Sequence, residues 1–208
     1  METTTTAAAA APISAAAQPG INVRKLFVLC CLCLATSSMS FILRGSIASE
    51  LKTELFDPID PAHSAAMLGD ALSWAFPGFA FMVLIGSAIV DYLGMRTLLL
   101  LCGDNFIVAT LLTVFESQNA PGARAGTIVG IGMFLNGLGW GCSETVINPL
   151  TTAIYPKDKT HRLNVLHAWW PAGIIVGGLL ALAATELKVG WRVEFALLIL
   201  PALGILGL

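Results

Sequence analysis

The stretch Thr127–Tyr155, TIVGIGMFLNGLGWGCSETVINPLTTAIY, holds one charged residue, Glu144. A helix of roughly 20 apolar residues crosses a bilayer, so this stretch is long enough to span one. A carboxylate at that depth costs on the order of 3 kcal/mol or more to insert if ionised, which makes Glu144 a candidate functional group. At about 100° per residue, Gly130, Gly137, Gly141, Glu144 and Asn148 fall on one narrow helix face, and Gly126 continues it upstream. Small residues let helices pack closely in lipid. The face is therefore a groove of glycines that ends in a carboxylate and an amide. It is expected to turn inward, as half of a cavity.

The rest of the chain is of the same kind. Of its 208 residues 12% are charged and 56% hydrophobic, against about 25% charged in an ordinary soluble domain. Together with a mean hydropathy of +0.81, this composition implies a polytopic membrane protein. The net charge of −2 gives no basic surplus for nucleic acid. Cys30, Cys31, Cys33, Cys102 and Cys142 lie in or beside apolar segments without zinc-ligand or paired-disulfide spacing, and read as small hydrophobic fillers. No nucleophile–base pair, metal-ligand set or phosphate loop appears. His161 and His167 lie six apart, on different helical faces. Neither an enzyme nor a metal or cofactor is expected.

The expected fold class is an all-α membrane protein. Residues 1–22, rich in Thr, Ala and Pro, read as a disordered tail. A transmembrane unit follows over 23–208, with helices at about 23–47, 64–90, 97–114, 125–155, 163–185 and 191–208. Arg24 and Lys25 ahead of LFVLCCLCL have the outline of a signal peptide. Apolar residues resume at Met39–Leu43, however, and the segment reads better as a retained first span. Pro77-Gly78, Pro149 and Pro171 are expected to break three helices near the membrane midplane, where freed backbone groups can bind a solute.

Loop composition gives an orientation. Ser49–His63 is polar and acidic, whereas Lys157, Lys159 and Arg162 form the strongest cationic cluster. Basic loops stay in the cytoplasm. The N-terminus is then cytoplasmic, the acidic loop external, and the expected location is the plasma (inner) membrane. Arg44, near the end of the first helix, either snorkels to the interface or partners a buried carboxylate. Asp104, one-third of the way into the third helix, is weighed equally as a bundle-facing acid.

Between the second and third helices lies the turn Ser87-Ala88-Ile89-Val90-Asp91-Tyr92-Leu93-Gly94-Met95-Arg96. With six helices and the basic loop after the fourth, it resembles the N-terminal half of a major facilitator superfamily transporter, whose signature here is roughly G-x-L-x-D-R-x-G-R-R. Asp91, Gly94 and Arg96 match, and Ser87 stands at the first glycine. The resemblance implies a gating motif, with Asp91 and Arg96 latching helix ends in one access state. A narrower likeness runs from Gly137-Leu138-Gly139 through Glu144-Thr145, Asn148-Pro149 and Pro156 to Arg162-Leu163-Asn164. This run is similar to the fucose:proton symporter branch, with its G-L-G-x-x-x-E-T-x-x-N-P segment and a later R-L-N. It implies a fourth-helix carboxylate, Glu144, that binds sugar and couples protons, and fifth-helix polar residues that contact the sugar. His167 and Trp170 stand where that branch has amides, and its first-helix Asp has no clear counterpart.

The candidate solute- and proton-binding residues are thus Glu144, Asn148, Asn164, His167, Trp170 and Arg44. A carboxylic acid that is neutral can both donate and accept hydrogen bonds, which suits a sugar hydroxyl. A carboxyl in a cavity that opens alternately to each side can take up and release a proton. Against this stands a structural acid, paired with Arg44 or bonded to Asn148. His167 is either a titrating, sugar-contacting group or a satisfied core histidine. Trp169 and Trp170 serve either packing or a sugar platform. The expected partners are a small polar solute (a sugar), protons, the lipid bilayer and a second six-helix half, in trans or missing from this chain. Secondary transport is the first functional expectation. The alternative is a non-transporting half-transporter: a sensor, an assembly partner or a truncated fragment.

Overall fold

The computed structural model describes residues 22–117 and 123–207. The tail expected over 1–22 lies outside these, Asn22 excepted, as do residues 118–122 of the polar loop and residue 208 of the expected sixth helix. Among the described residues the fold is helical throughout. Helix α1 (Val23–Ser46) starts at Asn22, whose side chain accepts a hydrogen bond from the Lys25 amide at 3.0 Å. Asn at this position satisfies one of the orphan amides of the first turn. A short α2 (Ala48–Leu51) and a widened turn over Lys52–Phe56 fold back at the far end of α1.

The second span, Ser64–Leu93, is two helices, α3 (Ser64–Ser73) and α4 (Ala75–Leu93), joined at Trp74. Proline has no amide hydrogen to give the residue four before it. Pro77 therefore leaves the Ser73 carbonyl without its helical donor, and the helix yields there. The third span is α5 (Met95–Leu111) with a second widened turn over Leu112–Glu116. The fourth is α6 (Ala123–Ile154) and the fifth α7 (Lys159–Glu186). These last two stay unbroken through Pro149 and Pro171, so only Pro77 divides a helix of the three expected breaks. Neighbouring helices can support a proline within a span. Among the described residues five helical spans, with α3 and α4 taken together, are thus long and apolar enough to cross a membrane.

The sixth apolar segment is helical but divided into α8 (Trp191–Ala196) and α9 (Ile199–Gly207). The cause is again a proline. Pro201 cannot donate to Leu197, whose carbonyl instead takes the Leu200 amide in a tighter turn at 3.2 Å.

The first and fourth spans form the centre. Along its apolar stretch the first is 67% buried, whereas the second and fifth are 17% buried. The exposed leucines, valines and phenylalanines of those outer helices, among them Leu84, Leu179 and Leu182, are surface for lipid or for another protein. Asp104 is also exposed, on α5 among Leu100, Leu101 and Val108. The reading of it as a bundle-facing acid is corrected: its helix turns the apolar Leu98, Cys102 and Phe106 inward instead.

The glycines explain how closely the helices meet. A methyl group on Gly137 would lie 2.0 Å from the Ala75 carbonyl oxygen, and one on Gly78 would lie 2.2 Å from that of Phe134. One on Gly141 would lie 2.5 Å from Met82 Cβ. So α4 and α6 meet backbone to backbone along a glycine seam, the arrangement small residues permit in lipid. Gly173 and Gly177 do the same for α7 against Ala35, Ser38, Met39 and Ile42 of α1. At Gly137 and Gly141 the glycine face of the fourth helix therefore turns onto the second span and is covered by it, so along that part the expectation of half of an open cavity is corrected: glycine sheds side chain so that a neighbour can fill the space. Gly126 and Gly130, nearer the start of the helix, do line an opening.

Candidate functional site

Glu144 and Asn148 lie one turn apart on α6, both half-buried, beyond the end of the glycine seam. Asn148 Nδ2 donates to Glu144 Oε2 at 3.3 Å. Among the described residues Glu144 has no ion-pair partner. The turn before it carries Trp140, which stacks on Phe79 of α4 with ring centres 3.9 Å apart and planes 25° from parallel. Trp140 also meets Trp170 of α7 at 5.5 Å and 32°. The site is thus a carboxylate and an amide below a row of three aromatic rings drawn from the second, fourth and fifth spans. Two of its buried polar atoms, Asn148 Oδ1 and Trp140 Nε1, have no hydrogen-bond partner within the protein. A buried polar group without a partner costs about 1–3 kcal/mol, so one free acceptor and one free donor here are unspent bonding capacity.

The backbone adds to it. Pro149 removes the donor for the Thr145 carbonyl, and Pro171 removes that for the His167 carbonyl. Asn164 and His167 are exposed on the two turns of α7 that precede the half-buried Trp170. No hydrogen bond joins either to Glu144. Trp140 and Phe79 were missed in reading the sequence. Trp140 precedes Glu144 by four residues, the spacing that places two side chains on one helix face, so its signal was present.

Arg44 is not a partner for Glu144. Ser40 of α1 donates to Asn136 of α6 at 3.1 Å, which sets the two antiparallel helices in register. Arg44 is four residues from that level in one direction and Glu144 eight in the other. At 1.5 Å per residue they are about 18 Å apart along the bundle. Arg44 is instead buried with its guanidinium over the rings of Phe41 and Phe76, at 5.3 and 5.4 Å.

At the Tyr155 end of the bundle, Arg162 lies over the Tyr155 ring at 4.4 Å and pairs with Asp158 at 3.2 Å. The turn between the second and third spans is at the same end. Gly94 has φ +79° and ψ 147° there, a conformation nearly confined to glycine. Asp91 and Arg96 are exposed and form no ion pair among the described residues, and the Ser87 hydroxyl donates to the Val83 carbonyl at 2.6 Å. At the opposite end, Trp191 and Arg192 close on the Lys52–Phe56 turn. Trp191 Nε1 donates to Glu54 Oε2 at 2.7 Å, and the Arg192 guanidinium grips both oxygens of the same carboxylate. These bonds hold the Glu54 carboxyl below the usual carboxylate range.

Comparison with known proteins bears on the whole of this architecture. No curated protein matches the sequence. Among solved structures, the inward-open conformation of the xylose transporter XylE from E. coli is similar, with a TM-score of 0.72 at 17% identity. The match covers 89% of this chain and 47% of that one, so the chain spans about half the length of the transporter. At this identity the likeness is one of fold. It agrees with the N-terminal half of a transporter fold, and is coarser than the fucose:proton symporter branch. The sequence model of the Major Facilitator Superfamily matches residues 25–208. The chain is an integral membrane protein that belongs to the Major Facilitator Superfamily.

Proposed function

We propose that this chain contributes one half of a secondary active transporter that moves a small polar solute, a sugar, by proton symport. Membership of the family supports membrane transport; the solute, the proton and the residues that handle them are further parts of the proposal. The observation that carries it is the Glu144–Asn148 pair beneath the Phe79–Trp140–Trp170 row, with a free donor and a free acceptor beside it. A sugar hydroxyl both donates and accepts, and the apolar faces of a sugar ring suit an aromatic platform. Glu144 acts as binding and coupling carboxylate, and Asn148 orients it. Asn164, His167 and Trp170 contact solute from the fifth helix. The XylE structure is of a xylose transporter, which favours a sugar.

Arg44 is assigned to the far end of this half, where it orders the first and second spans through Phe41 and Phe76. Ser87, Asp91, Gly94 and Arg96 form the gating turn, with Asp91 and Arg96 pairing in an access state other than this one. The exposed apolar faces of α4 and α7 are the surface for a second six-helix half. The basic loop at 157–162 favours a cytoplasmic N-terminus in the plasma membrane.

The test is hexose uptake in proteoliposomes that contain the chain with its complementary half. Glu144→Gln is expected to abolish uptake driven by an acid-outside gradient while sparing solute exchange. Uptake that still follows the pH gradient in this variant would overturn the assignment. A chain that binds hexoses but never transports them, with either half arrangement, would instead support a sensor.

A further inference from the structure

A cavity of about 490 Å³ opens between the second and fourth spans, near the end of the bundle away from Tyr155. Its walls include Met67, Asp70, Trp74, Thr127, Ile131 and Phe134, with two glycines of α6 between them and the Phe56 ring at its base. Those glycines make the space. Gly126 admits the edge of the Phe56 ring, whose Cε1 would lie 3.1 Å from an added methyl, and Gly130 admits Trp74 at 3.5 Å. Trp74 stands at the break between α3 and α4, half-exposed, and meets Phe134 edge to face at 6.2 Å and 72°. The break that Pro77 imposes is what swings this indole over the opening.

Asp70 is the sole charged residue of the lining. Its carboxylate forms no ion pair or hydrogen bond among the described residues, and it sits one turn before Trp74 on the same helix. From Gly130 to Glu144 is fourteen residues, about 21 Å along α6, so this cavity is separate from the Glu144 site.

The chemistry of the walls selects a ligand. Beyond the Asp70 carboxylate and the Thr127 side chain the walls are apolar, too few polar groups for the many hydroxyls of a sugar, and each one left unpaired is a penalty. The negative faces of Trp and Phe rings attract a cation within about 6 Å, most strongly one that is poorly hydrated. A lone carboxylate beside them supplies the counter-charge. The volume falls in the range of roughly 300–1,000 Å³ common for small-molecule sites. We propose that this cavity is a binding site for a small organic cation with apolar substituents, an alkyl- or arylalkylammonium, held by Trp74 and Phe134 and paired to Asp70. The site does not depend on the transport reading of Glu144.

The test uses the purified chain in detergent and again in lipid nanodiscs, with benzyltrimethylammonium as the probe. Its uncharged carbon isostere, neopentylbenzene, is the control. Binding is read by equilibrium dialysis and by tryptophan fluorescence. The cation is expected to bind saturably in both environments. Asp70→Asn is expected to weaken it about tenfold or more, the loss of a desolvated cation–carboxylate contact. Ile131→Lys, which puts a resident cation at the wall, is expected to abolish it. Trp74→Phe is expected to remove the fluorescence change while dialysis still shows binding. Equal affinity for the cation and its isostere, unchanged affinity in Asp70→Asn, or binding seen in detergent and lost in nanodiscs would each overturn the proposal. Should Asp70→Asn not fold, Ile131→Lys decides the matter by itself.

Discussion

Replacing Gly137 by alanine adds one methyl group at the tightest point of the seam between α4 and α6. That carbon would be 2.0 Å from the Ala75 carbonyl oxygen and 2.8 Å from both the Ala75 carbonyl carbon and the Phe79 amide nitrogen. All three are backbone atoms, so no side-chain rotation relieves the clash. Ordinary contact needs about 3.4 Å, and the difference from 2.0 Å means that the helices must part by about 1.4 Å there. Parting them also opens the approaches at Gly78 and Gly141, because the three glycines share one seam. Overpacking usually costs about 1–3 kcal/mol, and a backbone-to-backbone case belongs at the upper end. About 3 kcal/mol is a factor of roughly 150 in the ratio of folded to unfolded chains. The assay is denaturation of the purified chain in mixed micelles, with Gly178→Ala as reference, since a methyl there meets nothing within 4 Å. Gly178→Ala is expected to be neutral or slightly stabilising, from helix propensity. The double variant Gly78→Ala/Gly137→Ala should cost clearly less than the sum of the singles, because the first methyl opens the gap that the second needs. Gly137→Ala no worse than Gly178→Ala, or a strictly additive double, would refute the seam.

Three further outcomes are expected. Gly94→Ala should destabilise the chain by about 1–3 kcal/mol through backbone strain alone, because its φ is +79° and space around it is open; a neutral result in the same denaturation assay would contradict it. Glu54 is held below its ordinary carboxyl value of 4.5 by Arg192, so its contribution is present above that value and lost as pH falls through the lowered one. The stability gap between wild type and Glu54→Gln should therefore be constant near pH 6 and shrink on acidification below about pH 4.5; a gap that widens there would reverse the sign. Asp104→Leu removes a carboxylate that faces out of the third span, where insertion of a charge costs on the order of 3 kcal/mol; stability in lipid bilayers should rise or hold, and a clear loss would show that Asp104 has a partner.

Much of the fold was legible because its determinants are local. Apolar runs broken by polar loops mark the order of the five long spans, and Asp91-Tyr92-Leu93-Gly94 reads as a turn from its own residues; the division of the sixth apolar segment at Pro201 was not read there. Glycines at 130, 137 and 141 mark a face for close approach, but a list of residues does not say whether helix or solute approaches it. Only the packing shows Ala75 and Phe79 already there. Arg44 and Glu144 looked like partners because both are charges in spans. Their separation of about 18 Å comes from the Ser40–Asn136 register, which lies in two helices at once. Trp140 was the reverse case, legible by spacing and passed over because aromatic residues are common in apolar helices. The proline breaks divide likewise. Pro77 yields at a helix already ending near Ser73, whereas Pro149 and Pro171 sit where neighbouring helices support them.

The pairing of helices has a consequence for how the chain is made. The glycines of α7 that grip α1 belong to the last long span, and those of α6 that grip α4 are separated from it by the whole third span. Neighbours in sequence are thus not the closest neighbours in space. From Ser46 to Glu186 the ribosome must add 140 further residues, on the order of ten seconds at ordinary elongation rates. For that interval Ser38 of the first span, which packs against Gly173 of α7, lies in the bilayer without the helix that will cover it. The first span therefore waits for its closest neighbour until nearly the whole chain has been made.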